Sequence, residues 1–526
     1  MNGGKILKYL LGLVVLAVLI KLTSTIFVEP LIRKKFEAEL NEKNKNFIVG
    51  IGRVRISMIP PGIKLEMIRI SSIQKPERDS YSDGEISSIK FKGIHLLKAL
   101  FKKNIDISEV IISSSVLRVN IPFPEEPIPS ILSSQNIRIG KVLFNKIDLV
   151  IENTLNAQSF SVKKGVLIIN DFKVEKKDTL SPGIIKQFDF ESEELQLVSA
   201  DSMYTFKASA IAYSSTSTRL GISGFTVQPN YTDYGFTERY KYQKDRIEVI
   251  FSNIYLHNFS AYDFLKSRNL ESSYIEIGKM DMDVFRDRRR EIRHVNKPSF
   301  QDLIYNYAGP VRIDSINLKS GNITYTEHRT EANEPGRVSF NEINIKIYKI
   351  TNDPVYKTKN ALLEFKGKAL LMKKGSMTFS IKAKIFDRQN TFSLNGTLSA
   401  LEGGELNPML EKNAFVYVTS GKIDTMSYSF TANNAKASGR MTLLYHGLDL
   451  TVKNKRTDDT TALKERIGSF FANKKVIDSN PVPGEDVREG IIYYERDPEK
   501  SFFGYCFNSI FSGIKTTIVK SPQKKT

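Results

Sequence analysis

From Phe47 to Val452, apolar residues recur in runs at every second position, and this period constrains the fold more than any other feature. Such alternation marks a strand with one buried and one wet face. It runs through Met377, Phe379, Ile381, Ala383 and Ile385, through Phe392, Leu394 and Leu398, and through Ile343, Ile345 and Ile347. Ile275 and Ile277 repeat it, followed by Met280, Met282 and Val284. Long helical patterns are nearly absent between residues 46 and 450. The expectation is an all-β body of half-buried antiparallel strands with polar outer faces.

A second pattern is superimposed on the first. Ile105, Ile107 and Val110 form an aliphatic-x-Ile-x-x-aliphatic motif. Ile137, Ile139 and Val142 repeat it, as do Ile275, Ile277 and Met280, and then Val311, Ile313 and Ile316. Each copy follows a short apolar segment that could form a helical turn: residues 95–103, Ile131-Leu132, Tyr262 to Leu265, and Leu303 to Tyr305. The separations are irregular, so the pattern indicates one supersecondary unit reused with insertions, not a solenoid of fixed period.

The two ends differ from the body. Tyr9 to Ile20 is an unbroken apolar run, and LTSTIFV extends it past Lys21 to Val28. That is about 20 residues, enough to cross a bilayer with Lys21 snorkelling. Leu22-Thr23-Ser24-Thr25 is a poor cleavage site, so residues 6–28 are expected to remain as an anchor and the body to be exported. Lysines on both sides of the span leave its orientation open on charge alone. Residues 30–45 are expected to form an amphipathic helix with Leu31, Ile32, Phe36 and Leu40 in one stripe. A further helix is expected over 461–477, with Leu463, Ile467, Phe470 and Phe471 aligned. The last expected helix covers 501–519, its stripe being Phe503, Phe507, Ile510, Ile514 and Ile518. It carries too many polar groups to span a membrane, so it should dock as a lid on the sheet end or lie on a membrane surface.

Nothing local carries chemistry. No phosphate-binding loop, dinucleotide fingerprint or nucleophile elbow is present. One cysteine, Cys506, excludes an internal disulfide framework and a multi-cysteine zinc site. The five histidines are scattered. Asp281 and Asp283 alternate on a strand and are read as a wet face. The 77 Lys and Arg against 58 Asp and Glu give a net charge of +19, which favours anionic partners. Arg286, Arg288, Arg289, Arg290 and Arg293 form the densest basic run, within a loop expected over 283–300. The plain reading is a solvated loop; no nucleic-acid-binding motif accompanies it, and of its two anionic partners lipid headgroups suit an anchored protein better than nucleic acid. No catalytic residue, metal or cofactor is expected.

Three segments resemble the AsmA-like family of the Gram-negative envelope, which includes TamB- and YhdP-type proteins. They are NFIVGIGRVRISMIPPGIKLEMIRIS at 46–71, GIHLLKALFKKNIDISEVIISSSVLRVNIP at 93–122, and GKIDTMSYSFTANNAKASGRMTLLYHGLDLTV at 421–452. The first has a Pro61-Gly62 turn, the second a helical segment followed by the I-x-I-x-x-V motif. The likeness covers about 150 residues at the two ends of the body. It implies an inner-membrane protein, single-pass, with its body in the periplasm. It also implies a long curved antiparallel sheet whose apolar groove holds phospholipid or another acyl-chain lipid, and a part in lipid transport and outer-membrane biogenesis. The expected organisation is an anchor (1–30), a helix and first β unit (31–122), a middle groove region (123–300), a C-terminal β region (301–452) and a charged tail (453–526). Candidate groove residues are Ile275, Ile277, Met282, Val284, Ile343, Ile345, Ile347, Phe379, Ile381 and Phe392. A scaffold that holds envelope proteins through exposed strand edges is the second reading, and a membrane-anchored hydrolase with a spatially assembled site is the third.

Overall fold

The structure, a computed structural model, describes residues 21, 24–43, 47–58, 60–73, 81–94, 104–121, 131–132, 136–174, 179–180, 185–356, 362–452 and 476–519. Most of the expected anchor, the 95–103 segment, most of the Pro-rich stretch 121–130 and nearly all of the 461–477 helix lie outside them. No helix among the described residues is long and apolar enough to cross a membrane. The chain is mostly antiparallel strand with few short helices, and it divides into two units, 1–222 and 223–526.

In the first unit, helix α1 (Glu29–Lys43) precedes β1 (Phe47–Met58), β2 (Pro61–Ser72), β3 (Tyr81–Lys92) and β4 (Asn104–Ile121). These strands pair in order, antiparallel. Next, β5 (Asn136–Asn153) lies parallel to β4, and β6 (Ser159–Val174) turns back along β5. Short strands β7 (Phe188–Ser192), β8 (Glu194–Val198), β9 (Tyr204–Ala208) and β10 (Ala210–Ser214) continue the ladder.

The second unit repeats the plan. Strand β11 (Arg246–His257) leads to helix α2 (Ala261–Ser267), then β12 (Leu270–Ser272) and β13 (Tyr274–Asp287). Helix α3 (Phe300–Tyr305) precedes β14 (Val311–His328), which lies parallel to β12 and β13. An antiparallel ladder follows through β15 (Gly336–Thr351), β16 (Leu362–Leu371), β17 (Gly375–Lys384) and β18 (Phe392–Leu398) to β19 (Val416–Ala432), β20 (Lys436–Val452) and β21 (Glu489–Glu495). Helix α4 (Phe502–Ile518) closes the chain. The divisions expected after 122 and after 300 each fall inside a parallel ladder, β4–β5 and β13–β14, where main-chain bonds tie the two sides together. The basic loop is also shorter than expected, because Asp283 to Asp287 complete β13.

The recurring motif has a physical meaning. Side chains alternate along a strand, so Ile105 and Ile107 belong to one face and Val110 to the other unless the strand skips a step. It does skip: the β4–β5 register pairs Ile107 with Ile139 and Val110 with Val142, and Ser108 and Gly140 drop out of the ladder between them. Beside them Asp171 drops out of the β5–β6 ladder with φ of 51°. A second line of such skips crosses the unit through Gly52, Met67, Ser87, Ser114 and Lys146. Met67, Ser114 and Lys146 have φ of 53°, 46° and 58°. A left-handed non-glycine residue costs about 1–2 kcal/mol, so a whole row of them must be held by the pairing around it. Each skip bends its strand and returns the apolar residues to one face.

Copies one and two pair residue for residue. In the second unit Ile275 faces Ile316, not Val311, while Val311 faces Leu270. Leu270–Val311 and Ile275–Ile316 keep one register on either side of Ser273, so the two copies stand five residues out of step. Of the preceding apolar segments, 262–265 and 303–305 lie in α2 and α3, whereas Ile131-Leu132 is a two-residue strand paired with Thr179-Leu180.

Among the described residues β1 pairs only with β2 and β21 only with β20, so each has a free edge. A helix covers both. Along β1, Glu29 accepts from the Ile56 amide (3.1 Å), Glu37 from Ile51 (2.7 Å) and Asn41 from Val49 (2.7 Å), while the Asn41 amide donates to Val49 O (3.1 Å). Arg33 donates to Gly52 O and Lys21 to Ile56 O. The helix positions are four apart, about 6 Å, near the roughly 6.7 Å spanned by two strand residues. Of the expected α1 stripe, Ile32 and Phe36 pack on β1–β2, whereas Leu31 and Leu40 are exposed, because the capping row sets the helix's roll.

At the other edge, the Ile491 amide donates to Thr516 (2.8 Å), Thr516 donates to Ile491 O (3.1 Å), and the Tyr493 amide donates to Ser512 (3.1 Å). Small residues allow this approach. A Cβ on Gly513 would sit 2.8 Å from Ile492, and one on Gly490 would sit 2.3 Å from the Thr517 hydroxyl.

Two outcomes follow from the covered edges. Replacing Glu37 and Asn41 together by Ala should speed amide exchange in 47–58 by about tenfold or more, the equivalent of about 1–3 kcal/mol for donors left unpaired, with 204–208 unchanged. Gly513→Val should lift α4 from β21, costing about 1–3 kcal/mol in urea unfolding and exposing the 489–495 amides. Parent-like exchange there would refute the fit described for Gly513.

Candidate functional site

The apolar sheet face of each unit is the candidate site, and register shows how it is built. In the second unit Ile275, Ile316, Ile347, Phe365, Ile381 and Leu394 stand opposite one another across six strands. Ile277, Leu318, Ile345, Gly367, Phe379 and Gly396 form the next row. Met282 faces Ile323, Val284 faces Tyr325 and Ala383 faces Phe392. Ile343 joins the face through a bulge at Asn341–Asn344, where Glu342 has φ of 50°. All ten candidate residues therefore share one sheet face.

Their surroundings differ. Ile381 and Phe392 are buried in a protein-packed core beneath α4, where Phe392 lies 5.1 Å from the Phe502 ring and 6.0 Å from Tyr505. Phe379 packs against the same core, with its ring over Gly367, where a Cβ would come within 2.3 Å of it. Tyr428 covers Gly396 in the same way, and burial pushes its phenol up to about 12. These pairs fill the face where glycine supplies no side chain. Ile343 is buried in a separate cluster with Ile277, Met282 and Ile345 partly buried around it. Ile275 is buried in a third cluster, and Val284 and Ile347 are partly buried.

Helix α4 supplies the cover with a face that coincides only in part with the expected stripe. Tyr505, Cys506, Ser509, Gly513 and Thr517 are buried against the sheet. Ser509 and Thr517 return their hydroxyls to Tyr505 O and Gly513 O, so this face is internally satisfied. Of the expected stripe, Ile518 is buried, Ile510 and Ile514 pack on the core, and Phe503 and Phe507 are 82% and 60% exposed. Small residues win the contact because α4 must come close enough to bond the β21 edge.

The first unit carries a more open face, which holds none of the ten candidates. Leu117, Leu149, Val162, Leu195 and Ala208 form one row across five strands. Val119, Ile151, Phe160, Leu197 and Phe206 form the next. Val162 and Ala208 are buried, but the others are only partly so. Alternation alone misses these rows because the skips interrupt it. The readable signal is the change of parity in VLFNKIDLVI, where Val142 and Phe144 give way to Ile147, Leu149 and Ile151.

Polar groups are mostly engaged with each other. The Arg286 guanidinium pairs with Asp245, Arg289 with Asp287 and Arg288 with the buried Glu327, which also accepts from Tyr325 (2.6 Å). The basic run is thus partly neutralised where it leaves β13. Asn322 and Lys279 hold the Asp281 carboxyl below its usual range. No metal-binding group of three or more His, Cys, Asp or Glu occurs among the described residues. An open concavity of about 670 Å³ lies on the polar face of β16–β20, lined by side chains such as Thr378, Asn395, Thr397, Ser429 and Arg440.

No protein-family model matches the chain, and no curated protein matches it.

The contrast between the two faces gives a measurable difference. Phe392→Ala should destabilise the second unit by about 3–5 kcal/mol. Phe160→Ala, from the more open face, should cost less than about 2 kcal/mol. Equal losses in urea unfolding would mean that the first face is as fully packed as the second.

Proposed function

We propose that the protein binds acyl-chain lipid on the apolar face of its first unit, as a membrane-anchored envelope protein in lipid transport and homeostasis, similar to AsmA-like proteins. The observation that carries this reading is the pair of apolar rows from Leu117 to Ala208 and from Val119 to Phe206, most of whose side chains remain partly exposed. Apolar area of that extent calls for a partner. An acyl chain gains about 0.8 kcal/mol per buried CH₂, without any specific polar contact. The scaffold reading is less well supported, since the free edges of β1 and β21 are occupied by α1 and α4. The reading names no reaction; the residues serve by shape and apolarity.

Photo-crosslinking in the full chain tests it. A benzophenone side chain at Leu149 or Ile151 should yield lipid adducts by mass spectrometry. The same group at Arg118 or Glu152, on the polar face, should yield few. Adducts at all four positions, or none at Leu149 and Ile151, would overturn the lipid site.

A further inference from the structure

We propose that the outer flank of α4 docks on an anionic bilayer surface, as a membrane contact separate from the sheet face. The flank consists of Phe503, Phe507 and Phe511, each four residues from the next, one above another on the helix. Phe503 and Phe507 are among the most exposed large apolar side chains described, and the Phe507 and Phe511 rings stack with centroids 6.1 Å apart. Lys515, one further turn along, holds its ammonium 4.7 Å from the centre of the Phe511 ring. The opposite side of the helix is fixed to β20 and β21 through Ser509, Gly513, Thr517, Ser512 and Thr516. The aromatic row is therefore presented on a firm support and cannot turn inward without breaking the edge bonds.

Charge selects the occupant. From Ser501 to Thr526 the sequence has four lysines, Lys515, Lys520, Lys524 and Lys525, and no Asp or Glu. A row of aromatic rings followed in the sequence by cations alone suits an interface where rings enter the headgroup layer and lysines meet lipid phosphates. The inference does not depend on whether the sheet holds lipid.

The test uses the full chain in a neutral-lipid nanodisc, with an environment-sensitive dye on Phe507→Cys. Cys506 is buried, and burial pushes its thiol up to about 12, so labelling favours position 507. Vesicles of one-third phosphatidylglycerol should shift the dye to the blue, and nitroxide-bearing lipid should quench it. Pure phosphatidylcholine vesicles should do neither, and high salt should reverse the effect. Each Lys→Gln change should weaken vesicle binding roughly fivefold, and Phe503→Ser roughly tenfold. Three results would overturn the proposal: no response to anionic vesicles, an equal response to neutral ones, or a dye already shielded from aqueous quencher before vesicles are added. In the last case a shielding that fades on dilution identifies a second copy as the occupant, and one that persists identifies another part of the same chain.

Discussion

Strict alternation of side chains along a strand is the constraint on which this molecule depends. A sheet can bend and still keep one apolar face only if its strands interrupt alternation at the same level. A skip in one strand alone would turn half of that strand's apolar residues to water. The first unit meets this requirement by placing Gly52, Met67, Ser87, Ser114 and Lys146 in a transverse line, with the ladder intact on either side. Non-glycine residues hold the left-handed geometry there because their neighbours are fixed by main-chain pairing.

The same economy governs the ends of the ladder. An unpaired edge offers amides and carbonyls to any passing strand. Both units answer with a helix whose polar side chains bond the edge, instead of with another strand. At β1 the caps are long or amide side chains; at β21 they are hydroxyls pressed close by glycine. The C-terminal helix thereby links edge protection to core packing, since its buried face also covers Phe392 and Tyr428.

Much of this was legible in the sequence. The period-two runs announced the antiparallel body, and the ten apolar positions chosen from them fall on one face. The recurring motif was visible as a pattern, but its cause was not, because a skip is defined by what the neighbouring strand does. The face of α4 was read only in part, for a related reason. Periodicity ranks residues by apolarity, so it chose Phe503 and Phe507, whereas the contact is decided by how near Gly513 lets the helix approach Ile492. The polar row Glu29, Arg33, Glu37 and Asn41 carried a readable four-residue spacing, which an apolar stripe search passes over. Pairing β4 in parallel with β5 depends on a return across the sheet that no local run of residues encodes.

The helical caps also act as a vernier. Two scales of unequal division, about 6 Å per helical step and about 6.7 Å per strand step, stay aligned only briefly. The offset grows by roughly 0.7 Å at each step, so a few steps exhaust the reach of a side chain. Short hydroxyls at 512 and 516 serve two steps on the seven-residue β21, while α1 spreads its bonds over more of β1 and begins with the longer Glu29. Straight capping helices thus place an upper bound on the length of the outermost strands. A protein of this plan can grow wider by inserting pairs of interior strands, but it cannot grow its border strands without losing their cover.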